Sequence, residues 1–210
     1  RRYTDAYMIN WKSNVFPGIL GRTCDRPCEP ACRRGRVEEE PVAICRLKRV
    51  AADNKSDITA LLPKVAPSNG KKVACVGAGP ASLTVARDLA PLGYEVHVYD
   101  GDRRAGGMIR SQIPRFRLPE EVIDEEVSYI TSLGPVMHLS QTVDSMKALL
   151  TEGYDAIFVG TGAPRGRATP RRESAGGGGV SLRPAAPEPG PRAASDARAP
   201  GARRRRDDAP

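Results

Sequence analysis

The segment from Lys72 to Asp100 constrains the fold more than any other. It reads Lys72-Val73-Ala74-Cys75-Val76-Gly77-Ala78-Gly79-Pro80-Ala81-Ser82-Leu83 and runs on to Val96-His97-Val98-Tyr99-Asp100. Val73 to Val76 is a short apolar run, the pattern of a parallel strand covered on both faces. Gly77 permits a tight turn, and Gly79 removes the Cβ that would bar a pyrophosphate. The spacing predicts a helix from Pro80 to about Leu92, with its free N–H groups and positive dipole end aimed at that phosphate. Asp100 falls 23 residues past Gly77, close to the roughly 20 at which a carboxylate meets a ribose hydroxyl. A bare glycine pattern is weak. Strand, glycines, helix, strand and acid in register predict an α/β dinucleotide-binding fold on a parallel sheet.

The finer pattern leans toward FAD. Gly-x-Gly-Pro-Ala, with Leu83, Ala86 and Leu89 behind it, is closer to the FAD form than to the NAD form, and Ser82 takes the place of the third glycine. Gly106-Gly107 follows soon after the acid, where FAD enzymes run backbone along the cofactor. Tyr154-Asp155-Ala156-Ile157-Phe158-Val159-Gly160-Thr161-Gly162-Ala163 resembles the strand and Thr-Gly turn that returns to the cofactor in two-dinucleotide-domain flavoproteins. An NAD-dependent dehydrogenase is the competing reading, and Pro80-Ala81 argues against it.

Ahead of this fold lie the cysteines. Cys24, Cys28 and Cys32 are spaced four apart, and Cys45 follows thirteen residues later. Thiolates so close in sequence suit an iron–sulfur cluster. Zinc is the alternative, but its usual two-residue gaps are absent; buried, unligated thiols are the third option. Cys75, inside the first strand, reads as a buried thiol. Five cysteines without a secretory signal point to a reducing compartment, hence the cytoplasm. No apolar run approaches the roughly 18 residues of a membrane span.

Around these motifs the chain reads as helix, linker and further helix. A helix is expected from the start to about Asn10, with Trp11 and Phe16 as packing residues. Another opens at Pro41 and carries Val42, Cys45, Leu47 and Val50 near one face. Residues 55–70 form a linker rich in turn formers. After Asp100 come an extended connection at 111–119, a helix over 120–133 and a strand over 136–139. A helix over 145–152, capped by Asp144 or Ser145, and a strand over 154–159 complete it. His97 and His138 have no evident partner and read as packed or surface residues. Glu125-Glu126 reads as a helix surface.

Residues 168–210 contain nine Arg against five acids, and Val180 and Leu182 are their only large apolar residues. Such composition cannot offset chain entropy and predicts disorder. It also supplies half of the formal charge of +8, so the basic balance is no sign of a specific nucleic-acid partner.

Taken together, these motifs resemble one family in order. They are Phe16-Pro17-Gly18 through Cys32, Pro41-Val42-Ala43-Ile44 with Arg46-Leu47-Lys48-Arg49, Gly77 to Ala81, Gly106-Gly107, Ile113 to Pro119 and Gly160 to Gly162. The family is that of the glutamate synthase small (beta) subunit, with the amino-terminal half of dihydropyrimidine dehydrogenase among its relatives. The resemblance implies a helical iron–sulfur domain (residues 1–62), a linker (63–71), an FAD-binding dinucleotide fold (72–167) and a low-complexity tail (168–210). It implies electron transfer from NADPH through FAD and [4Fe–4S] clusters to a larger partner subunit or domain. The implied cofactor residues are Gly77, Gly79, Pro80, Ala81, Asp100, Gly106, Gly107, Thr161 and Gly162. The implied cluster ligands are Cys24, Cys28 and Cys32. The family's further cysteine falls at Leu20 here, and Cys45 is the candidate to replace it. The family's earlier cysteines would precede Arg1, and its NADPH-binding fold would follow Gly162, where this chain changes composition instead. An out-of-frame reading of a GC-rich gene is the expected origin of that change. A remnant that binds flavin or docks to a partner without catalysis is the alternative function.

Overall fold

Residues 1–163 are described by the structure, a computed structural model; the tail expected over 168–210 lies outside them. The chain opens with helices α1 (Tyr3–Asn14) and α2 (Pro17–Thr23), and after a stretch of turns comes α3 (Ile44–Asn54). The nucleotide fold follows as β1 (Lys72–Val76), α4 (Pro80–Leu89), β2 (Glu95–Asp100), α5 (Met108–Ser111), α6 (Glu120–Thr131), β3 (Val136–Leu139), α7 (Met146–Thr151) and β4 (Ala156–Val159). The four strands are parallel in the order β3-β2-β1-β4, with Val73 paired to Val96 on one side and Ala156 on the other. No described helix is long and apolar enough to cross a membrane.

Alternation along the strands divides the core. Val73, Cys75, Val96 and Val98 share one apolar cluster with Leu83 and Ala86 of α4, Ile123, Val127 and Ile130 of α6, and Tyr7, Trp11 and Ile19 of the helical segment. Ala74 and Val76 point the other way, to Leu149, Tyr154 and Ile157. The helices ahead of the fold are therefore packed into the same core as the sheet.

Several boundaries differ from expectation. α1 continues to Asn14 because Tyr7 and Trp11, four residues apart, prolong one buried face. α3 starts at Ile44, past Pro41, and only Cys45 of the four expected face residues is buried. Val42, Leu47 and Val50 are exposed, Leu47 by 55%. The buried face is Cys45, Ala51 and Ala52, because α2 approaches closely at Gly21, where a Cβ would stand 2.7 Å from the Arg49 nitrogen. The helix after Gly79 ends at Leu89 and passes through a 3₁₀ turn, Ala90–Leu92. The connection at 111–119 is not extended throughout: α5 enters it, and a turn closes from the Arg117 N–H to the Pro114 carbonyl. Within the linker, Thr59–Leu61 is a 3₁₀ turn and Ile58 is fully buried.

Candidate dinucleotide site and cysteine segment

β1 ends beneath Gly77, whose φ of +100° is open to glycine. A Cβ there would also lie 2.4 Å from the Gly160 carbonyl oxygen, so the turn and the end of β4 are in direct contact. Gly79 caps α4 in extended conformation, and Pro80 occupies the first helical position with its φ already set. No side chain caps this helix, so its first N–H groups are free to meet an anion. A Cβ on Gly79 would find only the Gly160 oxygen, at 4.0 Å. The approach to the turn is open where a pyrophosphate requires it.

Two further segments close on the turn. The Gly106 N–H donates to the Ala78 carbonyl at 2.8 Å. Gly107, at φ +52°, lies so near that a Cβ would stand 2.9 Å from the Gly79 Cα. The loop is held from below by α6: Glu120 and Asp124 both receive Arg104 and Arg110. Burial would raise the Asp124 carboxyl, but the two guanidiniums outweigh it and hold it below the usual range. Asp100 accepts the Ala78 N–H at 2.5 Å and the Asp102 N–H at 2.8 Å. A carboxylate has about four lone-pair directions, so capacity remains for ribose hydroxyls. Thr161 and Gly162 follow on the exposed side of Gly160. The turn, the Gly106-Gly107 loop and the return from β4 therefore meet at the carboxyl end of the sheet, the place where open α/β sheets bind ligands.

Gly160 is a contact that the sequence did not single out by itself. A Cβ there would stand 2.4 Å from the Ser82 Oγ and 2.9 Å from a Phe158 ring carbon. Ser82 in place of the third glycine is thus accommodated by the missing side chain opposite.

The cysteine segment starts where α2 ends. Cys24 is its C-cap, Cys28 is exposed, and Cys32 leads into a 3₁₀ turn, Arg33–Arg36. The Cys32 thiol is held below the ordinary value, first by the Val42 backbone N–H and then by that of Arg34. Soft thiols of this kind suit iron. As described, however, no three His, Cys, Asp or Glu side chains among the described residues converge on one ion. Cys45 is buried apart from them, its thiol donating to the Gly21 carbonyl at 3.3 Å and the Leu20 carbonyl at 3.5 Å. It lies beside the position where the family's further cysteine is expected. Cys75 is fully buried, and burial pushes its thiol up to about 11, the character of an inert core residue.

Two expectations are corrected. His97 has a carboxylate partner: its Nε2 lies 2.8 Å from Glu95 Oε1, and its Nδ1 lies 2.9 Å from His138 Nε2. Residues two apart on a strand share a face, which brings Glu95 to His97, and parallel pairing with β3 adds His138. Glu126 is no surface residue: it is 1% exposed. The signal was present in spacing, since Ile123, Glu126, Val127 and Ile130 form one helical stripe.

A parallel β-α-β unit with a glycine turn open at its strand ends, preceded by a cysteine-bearing helical segment, has the form of a dinucleotide-binding α/β fold. Comparison with known proteins agrees. Residues 1–59 match the family described as dihydropyrimidine dehydrogenase domain II, 4Fe-4S cluster, and residues 75–145 match the NAD(P)-binding Rossmann-like domain. The NADP(+)-dependent formate dehydrogenase subunit beta of Moorella thermoacetica is 36% identical over 185 residues, 77% of this chain and 26% of that protein. The glutamate synthase [NADPH] small chain of Azospirillum brasilense is 34% identical over 172 residues, 79% of this chain and 36% of that one. The NAD-dependent dihydropyrimidine dehydrogenase subunit PreT of Salmonella typhimurium is 33% identical over 180 residues, 83% of this chain and 43% of that one. The chain is homologous to oxidoreductase subunits that include the glutamate synthase small chain, and its first 59 residues match a 4Fe-4S cluster domain. It spans about a quarter to two fifths of the length of these relatives.

Proposed function

We propose that this chain is the flavin-binding and cluster-binding part of an electron-transferring oxidoreductase subunit that draws on NADPH and serves a larger partner subunit. The observation that carries the reading is the turn at Gly77–Gly79, walled by Gly107 and Gly160 and open at Gly79. There Pro80 and Ala81 start the helix whose free N–H groups hold the pyrophosphate, while Asp100 takes the adenosine ribose. Asp100 also discriminates. A carboxylate at the end of the second strand accepts ribose hydroxyls and repels a 2′-phosphate, so NADPH binds elsewhere, and the Gly-x-Gly-Pro-Ala pattern favours FAD in this turn. FAD, when bound, supplies a group that accepts a hydride and releases electrons singly. Gly106, Gly107, Thr161 and Gly162 line the remaining approach with backbone. Cys24, Cys28 and Cys32 would hold the cluster, with Cys45 beside Leu20 as the candidate fourth thiol.

The description of residues 75–145 as NAD(P)-binding favours a second reading, in which a nicotinamide dinucleotide sits directly in this turn. Titrating the full chain with FAD, NADH and NADPH separately decides between them. Saturable binding of FAD is expected, with loss in Gly79→Val, whose side chain blocks the pyrophosphate. A Gly79→Val protein that retains flavin as the parent does overturns the assignment, and tighter binding of NADH selects the second reading. Anaerobic reconstitution with iron and sulfide tests the cysteines: Cys28→Ala is expected to lower the iron bound, and unchanged iron counts against them.

A further inference from the structure

The first turn of α2 is held from a distant part of the chain. Its N-cap, Phe16, supplies no side-chain hydrogen bond. Instead Glu126 of α6 accepts the Gly18 N–H at 2.7 Å and the Ile19 N–H at 3.0 Å, and the Tyr7 hydroxyl of α1 donates to the same carboxylate at 2.8 Å. Lys55 lies alongside, with its ammonium on Glu125 at 2.6 Å and over the Tyr7 ring at 5.0 Å. Gly18 has to be small here, since a Cβ would meet Glu126 Oε1 at 3.1 Å. The other end of α2 rests on α3 through Gly21 and the Cys45 thiol and then becomes Cys24. One buried carboxylate thus joins three helices, and the short helix it grips delivers the cysteines.

We infer that Glu126 is a positioning residue for the redox unit: its carboxylate clamps the first turn of α2 onto α6 and so fixes the cysteine segment against the nucleotide fold. Its bearing on electron transfer rests on the function proposed above; the clamp itself does not. A buried donor left without its acceptor keeps its full desolvation cost, so replacing Glu126 by an apolar residue strands three donors at once. The consequence is local. α2 should lift while the sheet stays folded, because the carboxylate's hydrogen-bond partners, Tyr7, Gly18 and Ile19, all lie in α1 and α2 and none in a strand.

The cysteines report the difference. In the full chain, purified anaerobically and reduced, Cys28 is always exposed, Cys45 is covered by α2, and Cys75 is reached only through the sheet core. Pulse alkylation read site by site by mass spectrometry is expected to label Cys28 quickly and Cys45 slowly in the parent. In Glu126→Leu, labelling of Cys45 relative to Cys28 is expected to rise roughly tenfold to a hundredfold, as buried donors left without an acceptor imply. Cys75 should stay protected. Glu126→Gln, which keeps one acceptor oxygen, should fall between. Unchanged Cys45 labelling in Glu126→Leu overturns the clamp, as does Cys45 rising in step with Cys75, which marks general destabilisation. Should the leucine variant not fold, Tyr7→Phe removes a single donor; it is expected to give a smaller rise confined to Cys45, and no rise overturns the clamp. Iron uptake is measured in parallel. A parent that takes up no iron refutes the cluster reading and leaves the labelling pattern to decide the clamp.

Discussion

Ser82 carries a fully buried hydroxyl that finds no hydrogen-bond partner among the described residues. Such a group costs about 1–3 kcal/mol, so Ser82→Ala is expected to raise the midpoint of thermal unfolding. Gly160→Ala is its opposite: the new methyl would press on Ser82 Oγ and on the Phe158 ring, at a cost of about 1–3 kcal/mol. Combining it with Ser82→Gly should return part of that loss, and strict additivity in the double variant would show that the two positions do not touch. The Cys32 thiol, lowered by the Val42 and Arg34 backbone, should reach half-maximal alkylation below the pH of an ordinary thiol; a profile at or above it would contradict the geometry. At this scale the sequence picked out glycines by their spacing but not the contacts they make with distant parts of the chain. Gly77 and Gly79 stand within a familiar spacing, whereas the need for Gly160 exists only once Ser82 is brought against it.

Among the elements, the strands and α4 were legible because periodicity and glycine punctuation act locally, and Val73 to Val76 must be buried whatever surrounds them. α1 and α3 were less so. Their faces are chosen by neighbours far away in sequence, as Gly21 decides for α3, turning Leu47 and Val50 outward. The loop carrying Gly106 and Gly107 depends on α6 through the pairing of Arg104 and Arg110 with Glu120 and Asp124. Asp124→Asn is expected to weaken dinucleotide binding severalfold while changing overall stability by less than about 1 kcal/mol, since the pairs are partly exposed. The Asp124 carboxyl is lowered in the fold, so its contribution is present above the ordinary carboxylate range and is lost as pH falls through its folded value. Acid unfolding of the parent should show that loss, and Asp124→Asn should not. Equal dinucleotide affinity in the variant would remove the loop from the site.

On the scale of the whole molecule, Glu126 makes stability depend on pH in an unusual direction. Burial raises its carboxyl to about 7, against the pull of the Gly18 and Ile19 amides, Tyr7 and Lys55. Glu125 and Tyr129 stand on the same helix nearby. A folded value above the unfolded one means that the contribution is complete below about pH 4.5 and is lost as pH rises through 7. Urea unfolding from pH 5 to 8 should therefore show declining stability in the parent and a flatter course in Glu126→Gln; parallel curves would assign the decline to other groups. The contact between Gly77 and Gly160 reaches into time rather than pH. The two glycines are 83 positions apart, whereas β1 meets β2 across only 23, as Lys72 to Glu95 shows. Pairing over the longer separation is the slower step, because more chain must be closed before any contact rewards it. During synthesis the phosphate turn leaves the ribosome well before the strand that walls it, so the nascent β-α-β unit exists for a while as half a cradle. Under the function proposed above, ligand capture is then a late event of folding, and a dinucleotide selects chains in which β4 has already docked.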